Sequence, residues 1–210
     1  MIAVITRTSN RPKYFNRCHQ SVLSQGNICK HYVITDTLSD IEYIKSNNVH
    51  IHHVNKKKLT DSYNVPAPQS AKPALLSIHN LYFNEVYDKI TEPWVYHLDD
   101  DNYLYAGELV NLLQKVTNDT ELVICKIKHF TGLLPRQVDW NNKNIRVGGI
   151  DTGCFLVKTE LMKKVYWDGW KCGDFRVVDK LNKLSKKTVW VDVTVMGMEC
   201  QNLGKRNDMK

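Results

Sequence analysis

Short apolar runs alternate with segments of helical periodicity through the first hundred residues. The apolar runs are rich in β-branched and aromatic side chains, which favours strands, and they cover residues 2–5, 31–35, 49–54 and 94–98. Apolar residues recur at helical spacing after Pro12 and again between Pro73 and Ile90, which predicts amphipathic helices. A short helix is expected at 39–46, and residues 55–72 lack periodicity and are interpreted as a loop. This order predicts an α/β fold with a mostly parallel central sheet flanked by helices.

The second half of the chain continues the alternation. Expected strands cover 121–127, 154–158 and 188–195, and expected helices cover 109–116, 159–166 and 175–184. The polar insertion 135–147 is expected to form a hairpin or a flexible flap, which Trp140 could anchor. The length and a hydrophobic content of 42% fit one domain over residues 1–210. The polar tail 197–210 has no stop signal, so either it wraps back over the site or the chain is the N-terminal part of a longer protein.

The apolar run 94–98 ends abruptly at three adjacent carboxylates, Asp99, Asp100 and Asp101. Side chains alternate along an extended backbone, so we expect Asp99 and Asp101 to point one way and Asp100 the other. Like charges a few Å apart repel by roughly 3–4 kcal/mol at an effective dielectric constant near 20, so the acids need a cation, hydrogen-bond donors or open water. Oxygen-only ligands favour Mn²⁺ or Mg²⁺ over zinc. Taken alone, such a triplet is more often a solvated acidic turn.

Ligands of doubly wound α/β sheets bind beyond the carboxyl ends of the strands. The polar segment Thr6–Arg11, Asp36 and the acids Asp99–Asp101 each follow an expected strand at that edge. We therefore expect these residues to gather at one site.

The formal net charge of +7 points to an anionic partner, and phosphate esters, nucleic acid and membrane surfaces all qualify. The basic residues are dispersed, and the lysine runs at 56–58, 163–164 and 186–187 are short enough to be solvated faces. The sequence contains no long basic stripe of the kind that binds nucleic acid, so no nucleic-acid partner is expected.

The sequence favours a location inside the cell. Its six cysteines include no C-x-x-C pair and mostly occupy apolar segments, which favours a reducing compartment without excluding disulfides. The segment Met1–Thr6 is too short and wrongly flanked for a signal peptide, and no apolar stretch is long enough to span a bilayer. We expect a cytoplasmic protein.

Several segments together resemble the GT-A glycosyltransferases, in particular their family-2-like branch. Thr6–Pro12 with Cys18–Gln25 resembles the opening strand and helix of that family, Val33–Asp36 its second strand with a base-contacting acid, and Asp99–Asp101 its DXD motif. The segments that resemble its acceptor side are Gly153–Lys158 and Gly173-Asp174. More narrowly, the chain is similar to a glycosyltransferase domain encoded by chloroviruses, and for a viral chain the expected location is the host cytoplasm.

The resemblance implies a metal-dependent transfer of a hexose or deoxyhexose from a nucleoside-diphosphate sugar, with a UDP-sugar favoured, to a glycan or glycoprotein. It assigns residues 1–104 to a half that binds the nucleotide sugar and residues 105–196 to a half that binds the acceptor. Asp101 and Asp99 would hold Mn²⁺ or Mg²⁺. The residues expected to contact the donor are Thr6, Arg7, Thr8, Asp36, Lys72, Asp99 and Asp100.

On the acceptor side, the resemblance implies that Asp174 is the general base of an inverting transfer, with Asp151 as the rival base. Asp174 begins an expected helix whose dipole would keep the carboxylate ionised, but Asp is also a common helix cap. Trp167 and Trp170 could stack on sugar rings or pack in the core. Gly149 belongs to a glycine-containing stretch that would let the backbone approach a ligand, or that forms a bulged turn.

Departures from the family pattern leave other functions open. Asp36-Thr37-Leu38-Ser39 stands where the family has Asp-Asp-Gly-Ser, and no histidine follows His129 to complete a metal shell. A sugar-phosphate nucleotidyltransferase is one alternative, but it needs a glycine-rich loop after the first strand, and the loop after Ile5 has no glycine. A noncatalytic nucleotide- or sugar-binding module is another. A nuclease would need Glu-x-Lys soon after the acids, and the sequence has no such motif there. An EF-hand would need Asn or Asp at the position of Tyr103, so a calcium-binding module of that kind is excluded.

Overall fold

The computed structural model describes residues 1–45, 49–71 and 75–198. Its strands are β1 (Ile2–Thr8), β2 (Cys29–Thr35), β3 (Val49–His53), β4 (Trp94–His97), β5 (Tyr103–Leu104), β6 (Leu122–His129), β7 (Gly132–Leu134), β8 (Phe155–Lys158) and β9 (Thr188–Gly197). Its α-helices are α1 (Pro12–Leu23), α2 (Ile41–Ile44), α3 (Lys56–Ser62), α4 (Glu108–Gln114), α5 (Gln137–Asn142), α6 (Thr159–Met162) and α7 (Gly173–Leu184). The expected alternation of strands and helices is confirmed.

The described strands form a single sheet in the order β3-β2-β1-β4-β8-β6-β9-β5, with β7 paired to β6. The pairs β2–β3, β1–β2, β1–β4 and β6–β9 are parallel. Strand β8 runs antiparallel to both β4 and β6, β5 is antiparallel to β9, and β7 is antiparallel to β6. The sheet is therefore parallel in its N-terminal half, as the sequence predicts, and mixed in its C-terminal half.

The parallel strands bring the expected site residues to one edge. Ile2 pairs with Cys29 on one side and with Trp94 on the other, so β1, β2 and β4 start level with one another. The residues of β1 from Ile2 to Ile5 are fully buried, since helices cover both faces of the sheet. The carboxyl ends of these strands consequently open onto the same solvent-facing edge.

The long helix expected between Pro73 and Ile90 is not continuous. Pro73 lies outside the described residues, and Ile78–Glu85 and Tyr87–Lys89 are 3₁₀-helices. The backbone before them is tied to a distant loop. The amide of Ser77 donates to the carbonyl of Gly169 at 2.7 Å, and the amide of Lys171 donates to the carbonyl of Leu75 at 2.8 Å. This extended pairing prevents residues 75–77 from joining a helix, although their apolar spacing suggested one.

Helix α3 forms in a stretch that the sequence predicts to be a loop. The side chain of Asn55 accepts a hydrogen bond from the amide of Lys58 at 2.9 Å, which caps the first turn. Such an Asn cap is readable in the sequence, but the helix has no apolar stripe to accompany it.

The insertion 135–147 contains helix α5 instead of a hairpin or flap. Trp140 is buried, and its ring packs edge-on against Trp190 at a centroid distance of 5.3 Å. The ammonium groups of Lys126 and Lys143 lie 4.5 and 5.3 Å from its ring centroid. These contacts anchor the insertion to β6 and β9.

The expected tail lies outside the described residues from position 199 onward. Along the described part of the chain, no helix combines the length and apolar character needed to cross a bilayer.

Candidate functional site

A cavity of about 270 Å³ opens at the shared carboxyl edge of β1, β2 and β4, and we call it the first cavity. Its lining residues come from the ends of these strands, from α3 and from the 3₁₀-helix Ile78–Glu85. They are Arg7, Thr8, Ser9, Arg11, Asp36, Lys56, His79, Tyr82, Asp99, Asp100 and Asp101. The structure thus gathers most of the residues that the sequence assigned to donor and metal binding.

The strand that leads to the three acids ends earlier than expected. β4 stops at His97, and the backbone then turns, so that the amide of Asn102 donates to the carbonyl of Asp99 at 3.0 Å. An extended backbone would put the first and third acids on one side, and the turn removes that alternation. The extended backbone on which the expected alternation of Asp99, Asp100 and Asp101 depended is absent, and all three acids line the first cavity.

Two arginines hold the three acids. Arg11 is bidentate across two of them, with Nη1 at 2.6 Å from Asp100 and Nη2 at 2.7 Å from Asp101. The Nε of Arg7 lies 2.9 Å from Asp99. The guanidinium groups of Arg7 and Arg11 therefore offset the repulsion among the three carboxylates.

Asp100 is the most enclosed of the acids, at 1% exposure. Burial raises its pKa to about 7, against the opposing charge of Arg11. One of its oxygens accepts from the hydroxyl of Thr8 at 2.8 Å, and the other is bound to Arg11. These contacts indicate that Asp100 and Thr8 fix the acidic loop to β1.

The donor atoms at the first cavity fit a divalent cation only in part. Carboxylate oxygens suit Mn²⁺ and Mg²⁺, but among the described residues no three His, Cys, Asp or Glu side chains converge to form a complete cage. Mg²⁺ is commonly held by one or two carboxylates together with phosphate oxygens of a substrate. Asp101 and Asp99 can supply that partial set, and a cation would compete with Arg11 and Arg7 for them.

Asp36 remains a strong hydrogen-bond acceptor on the wall of the first cavity. Its carboxylate accepts from the hydroxyl of Tyr82 at 2.8 Å, and the Nζ of Lys56 is 3.7 Å away. Burial acts to raise its pKa, but the hydrogen bonds from Tyr82 and Ser9 and the charge of Lys56 outweigh burial, so the pKa of Asp36 is lowered. An ionised Asp36 can accept an N–H group of a bound base.

Of the described residues expected at the donor, Thr6 does not line the first cavity. Thr6 is fully buried, because its hydroxyl bonds inward to His31 Nε2 at 2.9 Å and lies 3.6 Å from Cys18 Sγ. A contact of the Thr6 side chain with a nucleotide is therefore corrected to a buried contact with His31 and Cys18. Lys72 lies outside the described residues.

A second cavity, of about 450 Å³, lies on the C-terminal side of the molecule and contains both candidate bases. Its lining residues are His129, Thr131, Leu134, Arg136, Gly148, Ile150, Asp151, Lys171, Cys172 and Asp174. Asp151 precedes the 3₁₀-helix Thr152–Cys154, and Asp174 is in the first turn of α7. The structure thus brings together two acids that are 23 positions apart in the sequence.

Burial dominates the electrostatics of the two acids in the second cavity. It raises the pKa of Asp151 to about 7, with a further contribution from the charge of Asp174. It also raises the pKa of Asp174, although the amide of Phe175 donates to that carboxylate at 2.8 Å. The expected effect of the helix dipole is thus outweighed by desolvation. The charge of Asp99 also raises the pKa of both carboxyl groups, and the charge of Arg7 lowers it. The two cavities are therefore close to one another.

The two tryptophans expected to bind sugar rings are engaged within the protein. Trp167 is 3% exposed, its Nε1 donates to the hydroxyl of Tyr87 at 2.6 Å, and its ring packs against His97. Trp170 is half-buried, and its Nε1 donates to the carbonyl of Val65 at 3.0 Å. Sugar stacking is therefore corrected to core packing for Trp167, and Trp170 holds a neighbouring segment beside the second cavity.

Gly149 is buried for a packing reason. A Cβ atom at this position would lie 3.0 Å from the side chain of Arg146 and 3.1 Å from Asp139. These two residues form a bidentate ion pair, with 2.6 and 2.8 Å between their atoms. Gly148 lines the second cavity instead, so the expected ligand approach at Gly149 is corrected to close contact with this ion pair.

Sequence reasoning missed several residues of the site. Arg11 was part of a recognised motif, but its pairing with the acids depends on a contact 89 or 90 positions away. Lys56 belongs to a lysine run that was interpreted as a solvated face. His79 and Tyr82 lie in a 3₁₀-helix and line the first cavity. No sequence signal marks Asn80, which accepts from Arg7 Nη1 at 2.8 Å.

Comparisons with known proteins agree with this architecture. Residues 30–167 match the sequence model of a family described as Fringe-like. No curated protein sequence matches the chain significantly. Among solved structures, S. aureus TarS 1-349 aligns with a TM-score of 0.62 at 15% identity, over 93% of this chain and 59% of that one.

Two further solved structures are similar at the same level. The galactosyltransferase LgtC aligns with a TM-score of 0.56 at 15% identity, over 90% of this chain and 73% of that one. The mannosyltransferase PcManGT from Pyrobaculum calidifontis aligns with a TM-score of 0.61 at 14% identity, over 92% and 56%. At these identities the likeness establishes the fold, and it confirms the GT-A fold class. The chain spans about 59% of the length of TarS 1-349.

Proposed function

The chain belongs to the Fringe-like family of GT-A glycosyltransferases, and on that premise we propose that it transfers a hexose or deoxyhexose from a nucleoside-diphosphate sugar to a glycan or glycoprotein. A UDP-sugar is the favoured donor, Mn²⁺ or Mg²⁺ the cofactor, and inversion the stereochemical course. In this reaction the bond between the anomeric carbon and the diphosphate oxygen breaks, a bond to the acceptor oxygen forms, and the hydroxyl proton passes to a base.

The observation that carries the proposal is the presence of two adjoining cavities with different chemistry. The first cavity is lined entirely by residues within 1–104. It combines basic side chains, the acidic loop and Asp36, which can accept an N–H of a nucleotide base. The second is lined entirely by residues within 105–196 and contains the buried acids Asp151 and Asp174. This division supports a donor half and an acceptor half that meet at Arg7 and Asp99, whose charges act on both acids.

A UDP-type donor is supported by the walls of the first cavity. Asp36 can accept a base N–H, and Arg7 and Lys56 are cations that can reach phosphate. Structures of TarS are described in complex with UDP and with UDP-GlcNAc, and PcManGT with GDP-Man and Mn²⁺. Lys72 would add a phosphate contact, as the sequence suggested.

Asp101, together with Asp99, would hold the cation. Bound there, Mn²⁺ or Mg²⁺ supplies positive charge that stabilises the departing diphosphate. Arg11 is bound to Asp101 at 2.7 Å and keeps this carboxylate oriented toward the first cavity. Arg7 orients Asp99 in the same way through their ion pair. The part of the Arg7 guanidinium that is not bound to Asp99 would contact the donor.

Asp174 would accept the proton of the attacking hydroxyl. A general base must lie within hydrogen-bond reach of that proton and should have a pKa not far below the working pH. Asp174 lines the second cavity, and burial raises its pKa above the ordinary value for aspartate. Asp151 shares both properties and is the rival base.

The proposal is tested by screening UDP-, GDP- and dTDP-sugars for Mn²⁺-dependent release of the nucleoside diphosphate, with and without glycan acceptors. We expect release from UDP-sugars that EDTA abolishes and that acceptor accelerates. A protein that binds UDP without turning over any donor would instead be a noncatalytic binding module. A protein that releases pyrophosphate from nucleotide and sugar phosphate would be a nucleotidyltransferase.

A further inference from the structure

The 3₁₀-helix Ile78–Glu85 contacts both the first cavity and the loop that leads into Asp174. Its residues His79 and Tyr82 line the first cavity. Two asparagines of the same helix bind the loop 167–173, which leads directly into Asp174: Asn84 binds it at Trp167, and Asn80 binds it at Trp170. One element therefore contacts both the donor-side wall and the loop that carries the candidate base.

Asn80 uses both ends of its amide. Its Oδ1 accepts from Arg7 Nη1 at 2.8 Å, and its Nδ2 donates to the carbonyl of Trp170 at 3.2 Å. A guanidinium can only donate and a carbonyl can only accept, so the amide has a single orientation that satisfies both partners. The residue is 7% exposed, which leaves its hydrogen bonds little competition from water.

Asn80 also packs against Gly173, the residue that precedes the candidate base. A Cβ atom added to Gly173 would lie 2.8 Å from Asn80 Nδ2, so this amide occupies the space that a side chain at position 173 would need. Asp174 is the next residue. In the part of the chain that the structure describes, Asn80 is the side chain that hydrogen-bonds both Arg7 and the loop 167–173.

We propose that Asn80 is a positioning residue that couples occupancy of the first cavity, sensed through Arg7, to the placement of Asp174 in the second. The inference rests on the proposed function, because it takes Arg7 to be a donor contact. A donor phosphate that attracts Arg7 shifts the partner of Asn80 Oδ1, and the rigid amide transmits that shift to the backbone at Trp170. The loop 167–173 then has a different conformation in the donor-bound protein from the one it has in the free protein.

Asn84 provides a matched control. It lies on the same 3₁₀-helix and binds the same loop, donating to the carbonyl of Trp167 at 2.9 Å and accepting from the amide of Trp167 at 2.9 Å. Its hydrogen bonds among the described residues go to Trp167 and do not reach Arg7. Asn84→Asp therefore disturbs the loop 167–173 but leaves the hydrogen bonds from Arg7 to Asn80 and from Asn80 to Trp170 in place.

The test compares wild type, Asn80→Asp and Asn84→Asp by amide hydrogen exchange with and without UDP and Mn²⁺. Asn80→Asp keeps an oxygen for Arg7 but sets a second oxygen against the carbonyl of Trp170. In wild type we expect UDP to slow exchange in residues 169–175 by about threefold or more. This response should disappear in Asn80→Asp and persist in Asn84→Asp.

Kinetics supply the second readout. In Asn80→Asp we expect UDP affinity to stay within about threefold of wild type while transfer to acceptor falls about 10- to 100-fold, as misplacement of a reacting group predicts. Donor hydrolysis by water should fall less than transfer, whereas a general loss of structure would lower both equally and lower the melting temperature.

The outcomes separate the coupling from the proposed function. If wild type binds UDP and its exchange in 169–175 does not respond, or if Asn80→Asp responds fully, the coupling is refuted. This wild-type measurement does not depend on whether a variant folds. If wild type binds none of UDP, GDP and dTDP, the proposed function itself fails, and the coupling that rests on it falls with it.

Discussion

Arg7 and Asp99 form an ion pair of 2.9 Å that joins the end of β1 to the loop after β4. The same guanidinium lies 4.7 Å from the centroid of the Phe83 ring, its Nη1 donates to Asn80, and Arg7 lines the first cavity. Arginine suits this position because its planar fork can bind several acceptors while it stacks on an aromatic ring. A charge at this point can act on donor and acceptor sides alike.

Replacement of Arg7 by Lys should weaken UDP binding. Lysine keeps the charge but cannot hold Asp99, Asn80 and a phosphate in fixed directions, so we expect about a tenfold loss of affinity, or about 1.4 kcal/mol, by isothermal titration calorimetry. Arg146→Lys is the control, because Arg146 forms its bidentate ion pair with Asp139 outside both cavities. Unchanged affinity in Arg7→Lys would remove Arg7 from the donor site.

Replacement of Asp101 by Asn should abolish the effect of metal. The amide preserves the shape of the carboxylate but loses the charge that a divalent cation requires, so Mn²⁺ should no longer accelerate donor turnover or tighten UDP binding. The measurement is a Mn²⁺ titration of both quantities after EDTA treatment. Asp119→Asn, which alters an exposed ion pair with Lys187, should respond to Mn²⁺ like wild type. Metal stimulation that survives in Asp101→Asn would show that Asp101 only anchors Arg11.

Asp174→Asn should reduce transfer by about 10²–10⁴-fold, the usual contribution of a general base. UDP affinity and the melting temperature should persist, because Asn can still accept from the amide of Phe175. The product should have the anomeric configuration opposite to the donor's, as assigned by NMR.

The pH profile of wild type adds a test of the same residue. A base must be deprotonated to work, and burial raises the pKa of Asp174, so transfer should be lost as pH falls through that raised pKa, above the range of an ordinary aspartate. A larger loss in Asp151→Asn, with an acid limb near the Asp151 pKa of about 7, would identify Asp151 as the base. Retention of the donor's configuration would argue against both.

Acid should destabilise the protein through the buried pair His19 and His31. Their Nδ1 atoms are 2.9 Å apart, and His31 Nε2 is bonded to Thr6. Burial lowers the pKa of His31 to about 3, so between about pH 6.5 and 3 the unfolded chain binds a proton that the folded chain excludes. Stability from this residue is present above that window and is lost as pH falls, by up to about 1.4 kcal/mol per pH unit.

Urea unfolding at several pH values measures this slope. His31→Gln should be less stable than wild type at pH 7, because it loses the stacked ring, but its stability should depend less on pH between 7 and 4. An identical slope in the variant would mean that other groups account for acid denaturation.

The order of the main strands and helices, and the sheet edge at which the candidate site lies, could be predicted from local patterns in the sequence. Apolar periodicity is a local property, and the strands from Ile2, Cys29 and Trp94 each end in the polar residues that line the first cavity. The family resemblance singled out Asp101, Asp151 and Asp174, whose roles remain predictions.

The partners of these residues could not be predicted without the folded structure. The pairing of Arg11 with Asp100, the burial of Thr6 against His31 and the bridge from Arg7 through Asn80 depend on distant segments that no local pattern relates. The same holds for the 3₁₀-helix Ile78–Glu85, where pairing of the preceding backbone with Gly169 overrides a helical apolar spacing. Periodicity records which face of an element is buried, whereas side-chain hydrogen bonds and desolvation depend on what the folded chain places against that face.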